Sequence, residues 1–204
     1  KIGLELALGG GLELARDLAA TGQPVFLDMK LLDIPNTVEK AVANAARTGV
    51  GFLTVHGLDR KTLAAAVRGR GESGLKLLAV TVMTSIEPGD LAEQGIARSP
   101  AELAVHRARL AEEAGLDGVI ASAEEASAIR TGARPDFLIV TPGIRPAGSA
   151  RQDQSRVMTP AEAIRAGADY LVVGRPISEA GDPAAAADAI AADIAAGLKA
   201  RQRR

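Results

Sequence analysis

Short apolar runs alternate along the chain with longer stretches in which apolar residues recur at helical spacing. Residues 1–3, 25–30, 51–56, 75–82, 118–121, 137–141 and 170–173 read as strands. Between them Leu4 to Ala20, Thr37 to Arg47, Arg60 to Arg68, Ser99 to near Gly115 and Ala123 to Arg130 read as helices, as do the segments opening at Thr159-Pro160 and Asp182-Pro183. Ser99-Pro100-Ala-Glu102 and Thr159-Pro160-Ala-Glu162 each place a hydroxyl N-cap, a proline in the first turn and an acid behind it. Pro35 reads as the first residue of its helix, where its missing N–H costs nothing. Gly9, Gly10 and Gly11 weaken the middle of the first helix, and Thr48-Gly49 stops the second. Residues 84–98 read as a polar loop, and 142–158 as a long loop rich in Gly, Pro, Arg and Gln.

Strands that are short and apolar, each followed by a helix, predict βα units on a parallel sheet covered by helices. The pattern gives seven strands and seven helices in 204 residues, whereas an eight-fold barrel takes about 250. The simplest account is a single (β/α)8 TIM barrel domain over residues 1–204 whose first βα unit lies ahead of Lys1, outside this sequence. An open doubly wound sheet is the competing fold, and no GxGxxG turn follows an early strand to support it.

Composition narrows the function classes. A net charge of −1 calls for neither nucleic acid nor an anionic membrane. The basic Arg201-Gln-Arg-Arg204 run fits a solvated tail. Cysteine is absent, so disulfides and thiol chemistry are excluded, and a reducing cytoplasm is allowed without being required. No apolar run has transmembrane length.

The candidate chemistry lies at strand ends. Asp28 and Lys30 stand two apart on one strand, which puts both on one face with Met29 on the other. Asp33 follows in a short loop. The same spacing also fits an ordinary surface salt bridge. In a parallel barrel function gathers at the C-terminal strand ends, where Lys1, His56, Thr84, Arg145 and Gly174-Arg175 also fall. Gly174 would let a backbone N–H approach a ligand, and Arg175 offers a bidentate fork for phosphate, with Arg145 and Gln154 of the 142–158 loop nearby. A plain strand-end turn is the alternative reading of Gly174-Arg175. His56 fits a packed histidine better than a catalyst, and His106 lies within a helix. Two histidines and scattered carboxylates give no metal-ligand cluster.

Asp28-Met-Lys30-Leu-Leu-Asp33-Ile-Pro-Asn-Thr37 closely resembles the signature of the orotidine 5'-phosphate decarboxylases. Further segments resemble that family in the same order: Lys1-Ile-Gly3, Thr54-Val-His56, Ala79-Val-Thr-Val-Met-Thr84-Ser85, Gly115-Leu-Asp-Gly118-Val, Val140-Thr-Pro-Gly-Ile-Arg145, Asp153-Gln154-Ser-Arg156-Val-Met-Thr-Pro160 and Val172-Val-Gly-Arg175. The resemblance covers essentially the whole chain. It implies a cytoplasmic (β/α)8 homodimeric lyase of pyrimidine biosynthesis that uses no cofactor and no metal. It also implies that Lys1, Asp28, Lys30 and Asp33 form a charged catalytic array, with Asp33 and Thr37 supplied to the partner subunit's site and Thr37 meeting the ribose. Thr84 would meet the pyrimidine; Arg145, Gln154, Gly174 and Arg175 would surround the phosphate. The family's first strand ends in an Ala-Leu-Asp segment whose Asp helps hold the ribose, and no counterpart stands before Lys1.

The implied reaction turns orotidine 5'-phosphate into uridine 5'-phosphate, with Lys30 protonating C6 of the carbanion. Two other readings are open. One is a metal-dependent sugar-phosphate decarboxylase or aldolase on the same barrel, which shares an Asp-x-Lys strand but lacks the Ile-Pro-Asn-Thr continuation. The other is a non-catalytic nucleotide-binding remnant.

Overall fold

A computed structural model describes residues 1–146 and 157–202. The strands are β1 (Ile2–Gly3), β2 (Phe26–Leu31), β3 (Phe52–His56), β4 (Lys76–Val80), β5 (Gly118–Ile120), β6 (Leu138–Thr141) and β7 (Tyr170–Leu171). They form one sheet in chain order, in which β1 through β4 pair in parallel, as do β6 and β7. Sequential order with helical crossovers is the topology of a (β/α) barrel.

The helices are α1 (Leu4–Leu6), α2 (Leu12–Ala20), α3 (Pro35–Ala46), α4 (Arg60–Arg70), α5 (Pro88–Glu93), α6 (Pro100–Glu113), α7 (Ala123–Gly132), α8 (Pro160–Ala166), α9 (Arg175–Ser178) and α10 (Pro183–Arg201). The glycine triplet does interrupt the first helix. A π turn over Ala7–Gly11 separates α1 from α2, with Gly10 at φ 97°.

Two short helices were not legible from the pattern. The expected polar loop at 84–98 contains α5, which starts at a proline and is closed by the Asp90 carboxylate accepting the Glu87 N–H at 2.8 Å. Only Leu91 of its six residues is buried, too few to make a helical period visible. α9 follows Gly174 directly, where a bare strand end was expected. The expected strand at 170–173 is ordered as β over Tyr170–Leu171 alone.

By contact, Lys1–Thr81 with Arg107–Val119 make one compact unit, and Val82–His106 with Ile120–Arg204 make another. In the first, Leu53, Val55, Leu63, Ala66, Leu77, Val38 and Val42 are essentially inaccessible, so β2–β4 are sealed by α3 and α4. These two helices cross closely at Gly69, where a Cβ would lie 2.2 Å from the Glu39 carbonyl oxygen. Arg68 pairs with Glu39 at 2.8 Å beside that crossing. In the second unit, Leu91 packs with Val82, Leu103 and Ala104, while Ile144, Ala163 and Ala168 form a separate cluster with Ala123.

One construction occurs once in each unit. The Asp117 carboxylate, just before β5, accepts the Leu77 N–H at 2.8 Å and Arg70 at 2.7 Å, and its own N–H donates to the Leu77 carbonyl. The Asp169 carboxylate, just before β7, accepts the Ile139 N–H at 2.9 Å and pairs with Arg130, and its own N–H donates to the Ile139 carbonyl. Both carboxylates tie down the N-terminal end of the preceding strand.

Candidate active site

The inward faces of β2 and β3 are built in layers by period-2 alternation. At the bottom Phe26 and Phe52 pair with ring centroids 5.7 Å apart. Above them stand Asp28 and Thr54, then Lys30 and His56. Leu27, Met29, Leu31 and Leu53 face outward and line an apolar cleft with residues of α2 and α3. Met29 therefore does lie on the face opposite Asp28 and Lys30.

Asp28 is 6% exposed and is the centre of the site. Its Oδ2 accepts hydrogen bonds from Lys1 Nζ at 2.6 Å and Lys30 Nζ at 2.7 Å. Its Oδ1 accepts the Thr54 hydroxyl at 2.8 Å. Lys1 also lies over the Phe26 ring, 5.6 Å from its centroid. Burial pushes the Asp28 carboxyl upward, but the Lys1 and Lys30 ammonium donors and the Thr54 hydroxyl outweigh it and hold it below its ordinary value. Asp28 is thus ionised at neutral pH, and these three side chains carry one net positive charge (two ammonium groups against one carboxylate).

Lys30 has a backbone conformation that spacing did not foretell. Its φ is 46°, the only positive φ of a non-glycine residue among those described. The β2–β3 register shifts there. Between the Leu27–Leu53 and Leu31–Val55 pairs, β2 passes Asp28, Met29 and Lys30 while β3 passes Thr54 alone. The bulge is closed by the Lys30 N–H, which donates to Thr54 Oγ1 at 2.8 Å.

His56 is half-buried. Burial lowers its pKa, Arg107 and Lys30 push the same way, and Asp28 opposes them. Arg107 reaches from α6 and donates to the Thr81 carbonyl at 2.5 Å.

The structure brings Lys1, Asp28 and Lys30 together, but not Asp33 or Thr37. Asp33 lies beyond the strand end, exposed, where its carboxylate accepts the Ile34 N–H at 2.6 Å. Thr37 is exposed on the first turn of α3. Leu32 and Ile34, either side of Asp33, are 54% and 67% exposed. The remaining expected residues belong to the second unit. Thr84 is buried in the turn after β4. Arg145 is buried, its N–H donating to the Met158 carbonyl and its Nη1 to the Ile144 carbonyl at 2.9 Å. Gly174 precedes α9 with open space at its Cβ position, and Arg175 begins that helix. Gln154 lies outside the described residues. Among the described residues no three His, Cys, Asp or Glu side chains gather. Thr54, which the sequence shows only as part of Thr54-Val-His56, is fully buried between Leu53 and Val55.

The chain is similar to known proteins over most of its length. The family model for the orotidine 5'-phosphate decarboxylase / HUMPS family matches residues 1–190. An orotidine 5'-phosphate decarboxylase of Bradyrhizobium sp. (strain ORS 278) is 57% identical over 195 residues, covering 96% of this chain and 80% of the relative. One of Methylobacterium sp. (strain 4-46) is 57% identical over 198 residues, covering 96% of this chain and 84% of that protein. The crystal structure of orotidine 5'-phosphate decarboxylase from Lactobacillus acidophilus superposes with a TM-score of 0.83 at 39% identity, covering 95% of this chain and 85% of that one.

Proposed function

The chain belongs to the orotidine 5'-phosphate decarboxylase / HUMPS family, and on that premise we propose that it is a decarboxylase converting orotidine 5'-phosphate to uridine 5'-phosphate, a cytoplasmic step of pyrimidine biosynthesis. The observation that carries this reading is the buried carboxylate of Asp28 held by two ammonium groups at the C-terminal end of β2. Breaking the C6–carboxyl bond releases carbon dioxide and leaves the electron pair on C6. The Lys30 ammonium stabilises that developing anion and then delivers its proton to C6. Asp28, ionised, disfavours the substrate carboxylate beside it: two unit charges about 4 Å apart interact by roughly 4 kcal/mol at an effective dielectric near 20. Lys1 holds Asp28 through the same carboxylate oxygen. No metal or cofactor takes part.

In the same reading Arg145, Gln154, Gly174 and Arg175 hold the phosphate and Thr84 meets the pyrimidine. Phosphate binding energy, remote from C6, is then available to the transition state. The protein acts as a homodimer in which Asp33 and Thr37 enter the neighbour's site. The exposure of Asp33, flanked by exposed Leu32 and Ile34, supports a partner-facing role for that loop.

The test is direct. Purified protein should consume orotidine 5'-phosphate with loss of its orotate absorbance, equally with and without a chelator. Lys30→Ala should lower turnover by orders of magnitude while circular dichroism stays unchanged. Chelator-sensitive turnover of a sugar phosphate instead would point to the metal-dependent branch of the family, and near-normal turnover by a folded Lys30→Ala variant would sink the mechanism.

A further inference from the structure

We propose that Thr54 is the positioning residue of this site, its one hydroxyl fixing both the orientation of the Asp28 carboxylate and the bulged backbone that presents Lys30. The inference rests on the decarboxylase reading of the same site. Thr54 is completely buried, so it is sealed from substrate and acts through its neighbours. Its hydroxyl makes two hydrogen bonds of 2.8 Å, one with Asp28 Oδ1 and one with the Lys30 N–H. The direction of both is forced. A backbone N–H can only donate and an ionised carboxylate can only accept, so the hydroxyl proton must point at Asp28 and a lone pair must face Lys30.

Each bond has a distinct consequence. Both ammonium groups sit on Asp28 Oδ2, and neither holds Oδ1. The Thr54 bond does hold Oδ1, and so sets the rotation of the carboxylate about its last torsion, a broad and two-fold one. The Lys30 N–H has left the regular ladder, because three residues of β2 face Thr54 alone. Without the Thr54 oxygen this donor would lose its partner at a residue with φ 46°. A regular strand would also carry the Lys30 ammonium elsewhere. One buried hydroxyl thus couples the anion of the site to the cation that delivers the proton.

The experiment compares wild type with Thr54→Val, which keeps the shape and loses both bonds, and Thr54→Ser, which keeps both bonds and loses a methyl group. Thermal unfolding establishes that each is folded, and Thr54→Ala, which asks for no extra volume, stands in if valine is not tolerated. Turnover of orotidine 5'-phosphate by Thr54→Val should fall by about ten- to a hundredfold, as for a lost hydrogen bond to a charged group, with KM within about twofold. The charged or titratable groups facing Asp28 are Lys1 just ahead of β1, Lys30 on its own strand and His56 from β3, and all stay in place. Losing the Thr54 donor should therefore move the acid limb of the pH profile, and the carbon-13 titration of the Asp28 carboxyl, to higher pH. Thr54→Ser should restore both.

A folded Thr54→Val enzyme with wild-type turnover and an unmoved Asp28 titration would overturn the proposal. So would serine and valine variants equally impaired, which would make the methyl packing responsible. If wild type itself leaves orotidine 5'-phosphate untouched, the decarboxylase reading fails on that result alone. The Asp28 titration, which needs no substrate, still decides whether Thr54 holds the carboxylate.

Discussion

His56 shows how a single residue records the electrostatics of its surroundings. Burial, Arg107 and Lys30 lower its pKa below 6.5, and Asp28 only partly offsets them. The folded protein therefore holds a neutral imidazole at a pH where the unfolded chain has begun to bind a proton. Stability from this residue is fully present above 6.5 and is lost as pH falls through the lower folded value. Denaturant unfolding followed across mildly acidic pH should show wild type losing stability faster than His56→Gln as pH is lowered. Parallel slopes would mean that the imidazole is as easily protonated in the fold as outside it. At this scale the charged pair was legible, because Asp28-x-Lys30 needs only strand alternation to converge. Thr54 was not. Its role depends on a bulge at Lys30, and a lysine there carries none of the glycine or asparagine signal that marks a positive φ.

Elements were legible in proportion to their length. α3, α4, α6 and α10 are long enough for spacing and caps to declare them, whereas α5 and α9 run six and four residues and bury one side chain and none. The closest helix contact described above, α3 on α4, gave no sequence signal either, since Gly69 reads as a flaw in a helix until its neighbour is seen. Alanine is favoured over glycine inside a helix by about 1 kcal/mol. Here the added Cβ would sit 2.2 Å from the Glu39 carbonyl oxygen, a backbone atom that cannot swing aside. Overpacking costs of about 1–3 kcal/mol should win. Gly69→Ala is expected to lower the melting temperature, while Gly132→Ala in α7, where nothing lies within 4 Å, should leave it equal or higher. A Gly69→Ala protein as stable as wild type would show that α3 and α4 can part without loss.

At the scale of the molecule, strand count and order followed from the alternation of patterns, and family membership from motifs spread over the chain. What one chain cannot display is the proposed sharing of Asp33 between subunits. Mixing inactive Lys30→Ala and Asp33→Ala proteins under subunit exchange tests it. With Asp33 acting in the neighbour's site, each mixed dimer has one site with both defects and one intact, and about a quarter of all sites should recover under random pairing. Mixed dimers that form yet stay inactive would refute the sharing. The two carboxylate clamps at the starts of β4 and β6 bear on a different matter. The ion pairs of Asp117 and Asp169 that anchor strands are made with Arg70 and Arg130, none of which belongs to the charged array of Lys1, Asp28 and Lys30. Descendants of this sequence can exchange the side chains that act on a ligand while the scaffold's own ion pairs stay untouched, so the fold leaves room for new activities to evolve on an unchanged frame.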